Sequence, residues 1–158
     1  MSYRLFVIAR ALHVLSLIIW IGGLATVTTV ILPAMHQFDS SEQKARLFDQ
    51  VERRFRPQAR IAWLIVGVTG LYMLAWLGAW ARFADIHYWW MDLMIALWAV
   101  FGLILFVVEP LIVGPRMRTK LTNESTQALA RIQTLHWILL VLSLLVIGSV
   151  VAGIYGVV

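Results

Sequence analysis

The stretch ARALHVLSLIIWIGGL, residues 9 to 24, sets one histidine, His13, into a run that is otherwise almost entirely hydrocarbon. Continued to Pro33, the run predicts an apolar helix over about 11 to 33, enough for a bilayer core about 30 Å thick, which takes about 20 apolar residues. Three further stretches meet that measure, about 61 to 81, 93 to 113 and 133 to 158. The first run is too long for a secretory leader and is not followed by a small-x-small cleavage site and a polar mature chain, so it is expected to persist as a helix.

The chain has 158 residues, 61% hydrophobic and 13% charged, with a mean hydropathy of +0.84. These values lie far from a soluble domain and predict one transmembrane domain over 1–158. The four spans use most of the chain, so any chemistry must come from side chains on the helices and their short connections. With no cysteine, disulfides, thiolate metal sites, iron–sulfur clusters and Cys-x-x-Cys-His haem attachment are excluded. The donors that remain are His, Met, Asp, Glu and Tyr.

A net charge of +5 does not imply nucleic acid, because the basic residues flank the membrane spans. Lys44, Arg46, Arg53, Arg54, Arg56, Arg60, Arg116, Arg118, Lys120 and Arg131 fall on one side, against Arg4, Arg10 and Arg82 on the other. The positive-inside rule then puts the first and third connections in the cytoplasm, and both termini outside, in the periplasm of a Gram-negative host. The expected fold is an all-α, integral membrane four-helix bundle, up-down-up-down, in a bacterial inner membrane.

Within the first connection, Leu47, Phe48, Val51 and Phe55 recur at helical spacing behind Ser40, Ser41 and Gln43, a capping-box pattern. They predict an amphipathic helix lying on the inner surface, ended by Pro57 or with Pro57 opening the second span. The third connection, from Gly114 to Arg131, reads as a turn followed by a short helical run. Trp76, Trp80, Tyr88, Trp89, Trp90 and Trp137 near span ends match an interfacial aromatic belt. Gly22 and Gly23, Gly67 and Gly70, and Gly148 and Gly153 are expected where helix backbones approach closely.

Up-down topology sorts the polar residues into two clusters. The outer one holds His13, His87 and Asp92, with Met91, Met94, Tyr72 and Met73 nearby. The inner one holds Glu109, His136, Arg60 and His36, in which Glu109 either pairs with Arg60 or handles protons. At about 1.5 Å per residue, His13 and His136 stand most of a bilayer apart and cannot share one iron. Each imidazole is read either as a ligand facing the bundle interior or as a hydrogen-bonded tie between helices.

Several short motifs resemble the bacterial copper-resistance protein D (CopD) family and its HemJ-type relatives. They are His13 with Trp20-x-Gly22-Gly23, Glu52-Arg53-Arg54-Phe55 before the second span, and Thr69-Gly70 within it. Tyr88-Trp89-Trp90-Met91, Glu109-Pro110 and Leu135-His136-Trp137 are similar to small stand-alone members of that group. The resemblance implies a four-helix membrane unit, a metal site at His13, and either b-type haem with redox chemistry or copper passage. One departure stands out: Asp92 occupies a place where a histidine is expected in such relatives, and a carboxylate there favours a harder ion or a weaker bond.

Three functions follow as expectations. A haem b electron-transfer or redox protein would use His13 as axial ligand, with a second haem at His136, Arg10 and Arg60 beside propionates, and Trp20 against the macrocycle. A copper carrier would draw on His13, Met73, His87, Met91, Met94 and Asp92 outside and on Glu109 and His136 inside. Its path would be lined by Ser16, Thr26, Thr28, Thr29, Thr69 and Ser143. An accessory subunit would use its histidines only to tie helices. The partners implied are the lipid bilayer, other membrane subunits, a quinone or a second copy of the chain.

Overall fold

The computed structural model describes residues 2–113 and 125–156; of these, Ser41, Ala45, 112–113 and 125–128 are described by backbone alone. Among the described residues the chain is helical throughout, with no strand. Four helices are long and apolar enough to cross a membrane: Tyr3–Met35, Glu42–Leu77, Ile86–Leu111 and Leu129–Ile154. We name the helices α1 (Tyr3–Met35), α2 (Ser41–Leu77), α3 (89–113) and α4 (Ser125–Ile154). Each begins earlier than hydropathy alone places it.

The surface helix expected between the first two spans does not exist as a separate element. α2 is one continuous helix of 37 residues with Pro57 inside it, about 55 Å at 1.5 Å per residue, well beyond the bilayer core. A proline inside a helix leaves the carbonyl four residues back without its donor. Here that carbonyl belongs to Arg53, and both Arg53 and Pro57 are exposed, so water can satisfy it. On the neighbouring turns Arg53 pairs with Asp49 and Arg56 with Glu52, holding the helix across the break. The apolar face expected there is real but differently covered: Leu47 and Phe48 pack on Leu32, Met35, Leu129 and Ile132 from the ends of α1 and α4. Ser40 stands at the N-cap with extended backbone but makes no side-chain cap bond, so the box with Gln43 does not form there. The turn expected over 114–124 lies outside the described residues; the run after it belongs to α4.

Two helices widen into π geometry next to a proline. In α1 the π turn Val27–Ile31 precedes Pro33; in α3 it covers Ile104–Val113 around Pro110. Widening relieves the clash of the proline ring with the carbonyl one turn back.

Helix packing is made by rings set into glycines. Trp63 of α2 and Trp98 of α3 stack with centroids 4.2 Å apart and planes 5° from parallel. Each indole donates to the other's backbone carbonyl, Trp63 Nε1 to Trp98 at 2.8 Å and Trp98 Nε1 to Trp63 at 3.2 Å. Gly67 lies under Trp98 and Gly102 under Trp63, with no room for a Cβ at either. Gly23 faces Phe55, Gly70 faces His13 and Gly153 faces Trp90, whereas Gly22 and Gly148 face nothing within 4 Å. Four of the six glycines expected at helix contacts, Gly23, Gly67, Gly70 and Gly153, therefore serve packing, and they admit rings where close backbones were expected; Gly22 and Gly148 do not. The middle of the core is Trp20, Ala62, Val66 and Phe101, with Trp20 edge-on to Phe101 at 4.8 Å.

Candidate functional site

His13 lies on the face of α1 turned toward α2. Its Nδ1 is 3.0 Å from Thr69 Oγ1, and its Cε1 lies beside Gly70, where a Cβ would come within 3.2 Å. The Thr69 hydroxyl donates to the Ile65 carbonyl of its own helix. Its single proton being used, the oxygen can only accept from His13. The ring is therefore the Nδ1–H tautomer, with the Val66 carbonyl as a further oxygen beside it. Nε2 carries a lone pair and no partner among the described residues. Ligating histidines are arranged in this way, one nitrogen fixed by an oxygen and the other free for a metal.

Arg10 and Tyr72 lie about one helical turn further along, on α1 and α2 respectively. Arg10 is exposed and has no charge partner among the described residues. The Tyr72 hydroxyl is buried and has no hydrogen-bond partner among the described residues. Beside Thr69 a groove of about 310 Å³ opens between α1 and α2, lined by Leu12, Leu64, Ile65, Val68 and Thr69.

The other members expected at this end are not brought to His13. His87 sits in the exposed turn Ile86–Tyr88, its Nδ1 2.8 Å from Asp85 Oδ1. Asp85 also accepts from the His87 amide at 3.0 Å, and this backbone bond, with the imidazole second, holds its carboxyl below the usual range. Met91 is buried with Leu74, Ala79 and Trp90. Asp92 is exposed and Met94 half-buried. Among the described residues no group of three or more His, Asp or Glu side chains could hold a metal ion.

The inner cluster forms in part. Glu109 pairs with Arg60 at 3.6 Å, as its position suggests, but more closely with Arg56, which also binds Glu52. Arg60 spends its other contacts on α3. Its Nε and Nη2 donate to the Leu105 carbonyl at 3.1 and 2.7 Å, and its guanidinium lies 5.3 Å from the Phe106 ring centre. Leu105 is five residues before Pro110, so in π geometry its carbonyl is the one that proline leaves without a donor. Arg60 supplies that donor, and its expected place beside a propionate is taken up by this work. Arg56 and the Leu105 carbonyl carry no signal in the sequence alone, because the need for them arises only once α3 widens.

His136 and His36 stand apart from this network. His136 Nδ1 is 2.9 Å from the Ile132 carbonyl of its own helix, which leaves its Nε2 uncommitted; His36 Nε2 bonds Gln133 at 2.8 Å. Followed through Gly67–Trp98 and Trp90–Gly153, the level of His13 meets α4 near Gly148. His136 is then about 12 residues away along α4, about 18 Å. This is little over half a bilayer core, less than the separation expected, and still too far for one iron to be shared. The hydroxyls expected to line an ion path are turned to their own helices: Thr26, Thr28, Thr29 and Ser143 each donate to the carbonyl four residues back.

Comparison with protein-family models, with curated proteins and with solved structures finds no match to this chain.

Proposed function

We propose that the chain is a multi-pass protein of a bacterial inner membrane that holds a b-type haem through His13 and serves electron transfer or redox chemistry. In this reading the four helices run up-down-up-down with both termini in the periplasm, and the basic first part of α2 stands in the cytoplasm. The observation that carries the proposal is the state of His13: Nδ1 is fixed by Thr69, whose own proton is committed, and Nε2 is left free at membrane depth. An imidazole serving only as a helix tie needs no free nitrogen, and a polar atom without a partner in hydrocarbon is costly.

The donor present for a haem is the His13 imidazole with its fixed tautomer; the groove beside Thr69 is lined by Leu12, Leu64, Ile65, Val68 and Thr69 and not by His13. When bound, such a group supplies one-electron chemistry. The chain's part would be to hold the His13 Nε2 in place through the Nδ1 contact with Thr69. His136 offers a second uncommitted Nε2 about 18 Å away, where a second haem would sit. The copper reading lacks this support, because His87, Met91 and Asp92 sit in separate surroundings. The likeness of the motifs around His13 to the CopD and HemJ-type group implies a metal site at His13 under either reading.

Haem content of the detergent-purified protein, set beside its copper content, tests the proposal. Close to one haem or more per chain with copper below stoichiometry supports it; stoichiometric copper without haem, or neither, refutes it.

A further inference from the structure

At the widened part of α3, Ile104–Val113, two acceptors compete for one guanidinium. Arg60 gives two hydrogen bonds to the Leu105 carbonyl, from Nε at 3.1 Å and from Nη2 at 2.7 Å. Glu109 accepts from Arg56 through Oε1. Its Oε2 is buried, stands 3.6 Å from Arg60 Nη2 and has no hydrogen-bond partner among the described residues. A buried carboxylate oxygen left unmet beside an arginine spent on a backbone carbonyl is costly.

The register of the helix accounts for this choice. In π geometry each amide donates five residues back, so Pro110 withholds a donor from Leu105 while the Leu111 amide serves Phe106. In α geometry the step is four: the Glu109 amide would serve Leu105 and free Arg60, and Pro110 would withhold its donor from Phe106 instead. Trp98 faces α2, stacked on Trp63. Glu109 follows it by eleven residues, close to three α turns, so the α register also keeps Glu109 on the side of α2. Each register thus leaves one acceptor unmet, the Glu109 Oε2 in the wide form and the Phe106 carbonyl in the narrow one, and these costs offset each other.

We propose that Ile104–Val113 exchanges between the two registers, with Arg60 as a latch that passes from the Leu105 carbonyl to the Glu109 carboxylate. A change of one residue in register turns Leu111 by about 100° relative to Trp98, which makes the segment a hinge built into α3. The hinge does not depend on the haem reading.

The test is amide-nitrogen relaxation dispersion on the full chain in detergent micelles, because helix register shifts fall between microseconds and milliseconds. The amides of Val107, Val108, Glu109 and Leu111 and the Arg60 Nε–H are expected to share one exchange process with one minor population, while those of Trp98 and Gly102 stay flat. Glu109→Gln removes the charge that draws Arg60 and should lower the minor population severalfold. Pro110→Ala restores the donor that the α register lacks and should raise it severalfold. In an Arg60→Gln background the population should no longer respond to Glu109→Gln. Flat profiles through the segment in wild type, a population unchanged in Glu109→Gln or in Pro110→Ala, or exchange that grows in Glu109→Gln as fraying of a helix end would, each overturn the inference.

Discussion

A histidine in hydrocarbon is defined by what its two nitrogens do, and at His13 they do different things. Thr69 has one proton and gives it to Ile65, so its oxygen fixes Nδ1–H and the lone pair on Nε2 is left over. Thr69→Val removes the acceptor while keeping the shape. Haem affinity is expected to drop about 10- to 100-fold, the usual cost of losing such an outer partner, with Thr69→Ser close to wild type; equal affinity in the valine variant would mean that Thr69 does not orient the ring. At the exposed turn before α3, Asp85 answers to pH. Its carboxyl is held below the ordinary value by the His87 amide and ring, so the turn has this contact in full above about pH 3.9 and loses it as pH falls through the lower folded value. The His87 amide shift should titrate with a midpoint below about 3.9, and Asp85→Asn should abolish the titration. The candidate residue His13 could be read from the sequence because a lone imidazole in an apolar run stands out. The part Thr69 plays as its partner could not: a hydroxyl on an apolar helix looks the same whether it bonds its own backbone, as Thr28 does, or also serves a neighbour.

Between helices, the pairing of α2 with α3 depends on a reciprocal arrangement of Trp63-x-x-x-Gly67 and Trp98-x-x-x-Gly102. A Cβ at Gly67 would come within 2.6 Å of the Trp98 ring. Gly67→Ala should therefore cost about 1–3 kcal/mol of stability by overpacking, read as a lower melting temperature in detergent, whereas Gly148→Ala, which faces open space, should change it little. A comparable loss at both positions would show that the stacked indoles do not set this interface. The same element view explains Arg60. Arg60→Gln takes away the charge and both present donors to Leu105, and should destabilise by about 1–3 kcal/mol through the part-buried carbonyl it strands. Helix existence was legible because long apolar runs have few other outcomes. Where helices stop was not: Pro57 is tolerated because its orphan carbonyl faces out, and Pro33 and Pro110 because the backbone widens around them, facts of three-dimensional surroundings that residue order does not carry.

For the whole molecule, hydropathy carries most of the architecture, and the four helices agree with it. The chain has no cysteine, so single cysteines report position cleanly. Under the proposed topology, a cysteine at Ser2 or Ala84 should react with a membrane-impermeant maleimide from the periplasmic side and one at Gln50 should not; the opposite pattern would invert the orientation. Less of the site was legible than of the fold, because the expected outer cluster assumed that residues at one depth share one cavity. The helices instead turn His87 and Asp92 outward and Met91 into the core. What remains is an imidazole with one nitrogen held and one free, and its meaning is decided most directly by a reduced-minus-oxidised absorption spectrum of the purified protein beside its His13→Ala variant. The account predicts sharp α and Soret bands in the wild type that are lost or strongly diminished in the variant; a wild type without such bands, or a variant that keeps them unchanged, would contradict it.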